Sequence, residues 1–76
     1  MQKVFVAVQF SVDPDGIIMP SRIRWADGRC WKINKVLHTC TASHHEFEGI
    51  RYTIIIGSVE KYLYRDGQQW YVGCSP

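Results

Sequence analysis

Residues 25–33 read WADGRCWKI and residues 64–72 read YRDGQQWYV. The two stretches share one pattern: an aromatic residue, any residue, Asp-Gly, two more residues, Trp, any residue, then Ile or Val. Asp-Gly between two strand-like runs is a strong local hairpin signal, because Gly enters the left-handed conformation that tight hairpin turns need. Neither Asp27 nor Asp66 needs a catalytic role, since Asp before Gly is favoured by turn chemistry alone. Loop length then decides what the aromatic residues do, because a shift of one residue moves every side chain to the opposite face. A three-residue loop ending in Gly28 puts Ile23, Trp25, Trp31 and Ile33 on one face and leaves Arg24 and Lys32 on the other. For the second hairpin the same loop groups Tyr62, Tyr64, Trp70 and Val72. A two-residue loop instead turns Leu63, Trp70 and Val72 inward and leaves Tyr62, Tyr64 and Tyr71 as an exposed aromatic strip. Core packing and a stacking platform are both open at this point.

Working outward, Lys3 to Phe10 alternates, with Val4, Val6, Val8 and Phe10 on one face and Phe5 and Ala7 on the other, so this strand reads as covered on both sides. Asp13-Pro14-Asp15-Gly16 is a turn, since Pro presets φ and Gly accepts positive φ. Ile17 to Trp25 reads as a second strand, irregular where Pro20 removes a ladder donor. Arg29 to Thr41 reads as a third, with a bulge near Asn34-Lys35 to reconcile Trp31 and Ile33 with the opposite parity of Val36. Residues 41–49 form the longest loop. Arg51 to Gly57, Val59 to Arg65 and Gln68 to Gly73 complete the set. No helical stretch of useful length interrupts them. The expected fold class is therefore all-β, a small SH3-like barrel of about five to six antiparallel strands in one domain over residues 1–76.

A chain of 76 residues supports one small core and no second domain. Hydrophobic residues are 46% of it and aromatic residues 13%, enough to fold outside the disordered class. The net charge of +2 comes from scattered Lys and Arg, so electrostatics alone does not name a partner. Cys30, Cys40 and Cys74 are an odd number without a Cys-x-x-Cys pair, which suggests a reducing compartment. The opening MQKVFVAVQF is interrupted by Gln9, leads straight into a turn and lacks a small-residue cleavage site, so it does not read as a secretion signal. No run is long enough to span a membrane as a helix. The expected location is the cytoplasm.

His38, Cys40, His44 and His45 are the one cluster of metal-ligand types. His38 and Cys40 share a strand face, and the following loop could bring His44 or His45 round to a zinc ion. The spacing lacks the two recognisable pairs of structural zinc sites, and solvent-exposed loop histidines explain it as well. Cys40 beside a histidine also has the ingredients of a thiol nucleophile and its base, but nothing suggests an oxyanion hole or an orienting third residue. There is no G-x-G-x-x-G, no Walker-type Gly-Lys-Ser and no G-x-S-x-G. The chain reads as a non-enzyme, with no cofactor expected. What remains is Arg22, Arg24, Lys32, Lys35, Arg51 and Arg65 interleaved along strands with Trp and Tyr. Cations that track phosphates beside rings that stack on bases are what single-stranded nucleic-acid binding requires.

The runs WADGRCWKINKVL (25–37), RYTIII (51–56) and YLYRDGQQWYV (62–72) resemble a family of short, uncharacterised bacterial proteins typical of Clostridia-like Firmicutes. The Trp-x-x-Gly-x-x-aromatic opening and the late Leu-Tyr…Trp strand pair are also similar to a small domain of unknown function encoded beside translesion DNA polymerase components in actinobacteria. Here His44-His45-Glu46-Phe47 stands where those proteins have a Trp-rich middle segment. The resemblance implies a DNA-associated role and carries over no functional residue.

The leading expectation is a binding module for nucleic acid, or a DNA-associated accessory, in which Arg22, Arg24, Lys32, Lys35 and Arg65 contact phosphates and Tyr62, Tyr64 or Tyr71 stacks. The rival expectation is a protein-interaction or homo-oligomerisation module that uses the same aromatic residues, or an open sheet edge.

Overall fold

The computed structural model describes residues 2–41 and 49–74. Among them are seven antiparallel strands: β1 (Gln2–Val12), β2 (Ile18–Arg24), β3 (Cys30–Lys32), β4 (Lys35–Thr41), β5 (Ile50–Ile56), β6 (Val59–Asp66) and β7 (Gln69–Cys74). They lie in the order β3-β2-β1-β7-β6-β5-β4. The two edge strands, β3 and β4, are neighbours in the chain. Ile33 still donates its amide to the Ser21 carbonyl of β2 at 2.9 Å, whereas Asn34 already donates to the Ile55 carbonyl of β5 at 2.8 Å. Two residues reach only about 7 Å even when extended, so a sheet whose edges they join must curl. The result is a small, all-β, barrel-like fold.

This corner is where the expected third strand proves to be two. A bulge near Asn34-Lys35 would have kept Arg29 to Thr41 on one partner, but the chain changes partner between Ile33 and Asn34 instead. The corner is tied down: the Asn34 side-chain carbonyl accepts the amide of Gly57, in the β5–β6 turn, at 2.7 Å. Bulges occur on both sides of it. Gln9 faces Arg22 while Phe10 faces Pro20, so Ser21 is the extra residue on β2, next to the proline that cannot donate to a ladder. Val36 faces Ile54 while His38 faces Thr53, so Leu37 is the extra residue on β4.

The concave side holds Ile23, Ile33, Tyr52, Ile54, Leu63 and Trp70, with Val6, Val8, Trp25, Val36 and Val72 packed around them. These positions alternate along their strands, as period-2 patterning requires. Burying each large aliphatic side chain contributes about 1.5–3 kcal/mol. The first Asp-Gly hairpin takes the three-residue form: Gly28 donates to the Trp25 carbonyl at 2.9 Å, Trp25 donates to the Arg29 carbonyl at 2.8 Å, and Gly28 has φ 93°. Ile23 then faces Trp31, and Trp25 meets Trp31 edge to face at 5.0 Å. The second hairpin takes the two-residue form, because Asp66 faces Gln69 and Gly67 has φ 61°.

Candidate nucleic-acid interface

The convex side of the sheet is where the charged and aromatic candidates meet. On β2 and β3, Arg22 stands directly opposite Lys32 and Arg24 opposite Cys30. On the other side of β2, Arg22 faces Gln9 and Arg24 faces Ala7 of β1. Arg22, Arg24 and Lys32 are all exposed, so three cations share one face of a two-stranded ribbon. Like charges directly opposite each other in a sheet are unfavourable, and no carboxylate among the described residues relieves them. Arg29 pairs with Asp27 at 2.7 Å, within the turn itself. Asp27 also accepts the Arg29 amide at 3.0 Å. That amide, and behind it the Arg29 guanidinium, hold the Asp27 carboxyl below the ordinary carboxylate range.

A second group runs across five strands in register. Cys40 faces Arg51, Arg51 faces Tyr64, Tyr64 faces Tyr71 and Tyr71 faces Phe5. The Tyr64 and Tyr71 rings are stacked, 4.9 Å apart and 5° from parallel, and Phe5 closes on Tyr71 edge-on at 5.9 Å. The Lys3 ammonium lies 4.9 Å from the Tyr71 ring centre, within cation–π range. Two-residue loop geometry thus places Tyr62, Tyr64 and Tyr71 opposite the main core, but it does not leave them as an exposed strip. Tyr71 is 0% exposed and Tyr64 6%; Tyr62 alone is open, at 49%. Burial pushes the Tyr64 phenol above its ordinary range, with the Arg51 guanidinium acting in the other direction.

The exposed ring that sequence reasoning missed is Phe5, at 55%. It stands on β1 between the two groups, edge-on to Tyr71 on one side and diagonal to Arg24 on the other, since Ala7 is the residue facing Arg24. The signal was present as the second apolar face of β1, which read as one more covered face. Tyr62 carries the Arg51 guanidinium 4.5 Å from its ring centre.

The remaining candidates are dispersed. Lys35 is exposed on β4, opposite Ile55 and across the corner from Lys32. Arg65 belongs to the concave side, where it faces Trp70; it donates to the Tyr52 hydroxyl at 3.3 Å and to the Gly67 carbonyl at 3.0 Å. Its guanidinium braces the β6–β7 turn. His38 and Cys40 do share the convex face, and His38 shares a hydrogen bond with the Thr53 hydroxyl at 3.2 Å. His44 and His45 lie outside the described residues. Among the described residues no three His, Cys, Asp or Glu side chains gather as a metal-ligand set. Cys30 and Cys40 are free thiols, exposed and half-buried respectively. No helix among the described residues is long and apolar enough to cross a membrane.

No protein-family model matches the chain, and no curated protein or solved structure matches it either.

Proposed function

We propose that this protein is a non-catalytic, cytoplasmic module that binds single-stranded nucleic acid on its convex face, in a DNA-associated accessory role of the kind the resemblance to the actinobacterial domain implies. The observation that carries the reading is the exposed Arg22–Lys32 pair, directly opposed across β2 and β3 with Arg24 beside it and no acidic partner among the described residues. An arrangement that is unfavourable by itself becomes favourable when a phosphate backbone crosses it. Phe5 supplies an exposed ring next to these cations, and Tyr62 a second one across the sheet; a ring beside a cation is the pairing that holds an unpaired base and its phosphate together. Tyr71 packs edge-on against Phe5 from the neighbouring strand and Tyr64 stacks on Tyr71, so these two buried rings hold Phe5 in place rather than stack on bases.

Fluorescence-anisotropy titration of labelled single-stranded and duplex oligonucleotides tests this. Three phosphate contacts give a slope of log affinity against log salt of about −2 for a single strand. Arg24→Ala is expected to weaken binding and make that slope shallower by about 0.7. Phe5→Ala is expected to weaken binding with the slope unchanged. Salt-independent binding, or none at high protein concentration, would overturn the reading.

A further inference from the structure

β1 is accompanied by different strands along its two halves, and one stretch of its edge is left open. β7 follows β1 from Gln2 to Val6, ending where Val6 faces Trp70. β2 follows it from Ala7 to Val12. In that second half the Gln9 carbonyl accepts the Ser21 hydroxyl at 3.0 Å, and Asp13 donates to the Ile17 carbonyl at 3.0 Å. Odd-numbered residues therefore turn their amide and carbonyl groups toward β2. Alternation directs those of Val8, Phe10 and Val12 to the other side, where no described strand is paired with them. Beside this edge lies a cleft of about 340 Å³ bounded by Val8, Phe10, the turn residue Gln68, and Gln69 and Trp70 of β7.

The two edge strands of the sheet, β3 and β4, carry the usual protection against strand addition. β3 is three residues long and ends in Lys32; β4 begins with Lys35 and is bent by the extra residue Leu37. Short strands, lysines and bulges are how edges are blunted. The open part of β1, Val8-Gln9-Phe10-Ser11-Val12, has neither a charge nor a proline. Its apolar side is also exposed, with Phe10 at 47% and Val12 at 58%.

The stretch has one more property. Its pattern, apolar-polar-apolar-polar-apolar, reads the same in both directions about Phe10. A two-fold interface needs a surface complementary to itself, and an antiparallel strand pair centred on one residue is the simplest case. With Phe10 at the centre, Val8 faces Val12 of the second copy on the apolar side, and Gln9 faces Ser11 of the second copy on the polar side. Every even-numbered amide and carbonyl in the stretch gains a partner, and no like charges meet. Val12 of the second copy would enter beside the cleft next to Val8.

We propose that this edge joins two copies of the chain in a two-fold dimer through antiparallel pairing of residues 8–12 about Phe10. The proposal is independent of the nucleic-acid reading and is tested without nucleic acid. Five paired residues make a small interface, and small interfaces associate weakly. The measurement is sedimentation velocity of the purified protein from about 10 µM to about 1 mM. The expected result is a sedimentation coefficient that rises with concentration toward a dimer. Val12→Lys, at an exposed position, is expected to raise the dissociation constant by at least about tenfold. Phe10→Pro removes an amide that faces the second copy and no amide used by β2. Gln9→Glu combined with Ser11→Glu sets carboxylates opposite one another across the two-fold and is expected to abolish association at low salt. Circular dichroism of each variant at low concentration checks that the monomer is folded. A wild-type chain that stays monomeric throughout overturns the proposal, as does a dimer that survives both Val12→Lys and the double Glu variant in folded form.

Discussion

The two Asp-Gly hairpins use nearly the same residues to opposite effect. In the first, Asp27 and Gly28 both lie inside a three-residue loop, Trp25 and Arg29 bond across it, and the aromatic residue before Asp joins the concave core beside Trp31. In the second, Asp66 is still a strand residue paired with Gln69, the loop is one residue shorter, and the matching aromatic, Tyr64, is on the convex face against Tyr71. Trp31 and Trp70 both point inward. The difference teaches that a turn of one length builds a single-faced hairpin, whereas the other length puts aromatic residues on both faces of the same strand pair. The first hairpin is thereby free to present Arg22, Arg24 and Lys32 on its back. The second spends its back on a buried stack.

The comparison can be broken most severely by shifting a strand by one residue. One residue inserted between Gln69 and Trp70 leaves the two-residue loop as it is and turns Trp70 and Val72 outward. Both are core contacts, and the expected outcome in denaturant unfolding is a loss of about 5 kcal/mol or more, near the whole stability of a small domain. One residue inserted between Cys30 and Trp31 displaces only the three-residue β3 and is expected to cost less than half as much. Equal losses would mean that the two hairpins contribute alike to the core.

Next in size is the removal of the matching aromatic residues. Tyr71→Ala empties a fully buried convex position and is expected to cost about 3–5 kcal/mol, the range for buried aromatic truncations. Trp25→Ala, at a half-buried site, is expected to cost about 1–3 kcal/mol. A Tyr71→Ala variant as stable as the parent would mean that the convex stack is decoration.

Smaller effects separate the two glycines. Gly28 at φ 93° lies outside the left-handed helical well, while Gly67 at φ 61° lies within it, and a Cβ at either position meets nothing within 4 Å. Backbone conformation alone then sets the outcome. Gly67→Asn is expected to be nearly neutral, since Asn tolerates the left-handed well, whereas Gly28→Asn is expected to cost about 1–2 kcal/mol. Thermal unfolding of the pair distinguishes them.

The smallest effect belongs to the Asp27 carboxylate. Its folded-state pKa lies below the ordinary value, chiefly through the Arg29 amide, so its contribution is present above about pH 4 and is lost as the pH falls through the folded value. Asp27→Asn is expected to lower stability slightly at neutral pH and to match the parent near pH 2. A gap that persists at pH 2 would assign the effect to shape rather than charge.

Much of this architecture is legible in the residues. Period-2 runs mark the strands, Asp13-Pro14-Asp15-Gly16 marks a turn in which the Asp13 carboxylate accepts the amides of Asp15 and Ile17, and the three-residue form of the first hairpin is the one that separates Ile23, Trp25, Trp31 and Ile33 from Arg24 and Lys32. The second loop length is not legible, because Asp-Gly is compatible with either form and only the packing of Leu63 and Trp70 across the barrel decides. Nor is the corner. A parity change between Ile33 and Val36 looks the same whether one strand bulges or the chain changes partner, and the difference is a contact with β5, far away in sequence. Alternation, moreover, tells which side a residue takes and not what covers that side. That is why Tyr64 and Tyr71, on the convex face, are buried, and why Phe5, on a face that reads as covered, is exposed.

The pairing of Val4 with Val72 and Val6 with Trp70 has a consequence for synthesis. On the ribosome, β1 and its turn emerge early and can close on β2, but the N-terminal half of β1 has to wait roughly sixty residues for β7, a delay of about 3–12 s at ordinary elongation rates. During that interval Val4 and Val6 flank an unfinished sheet. A nascent chain therefore presents the N-terminal half of its first strand to any chaperone or neighbouring chain until β7 arrives.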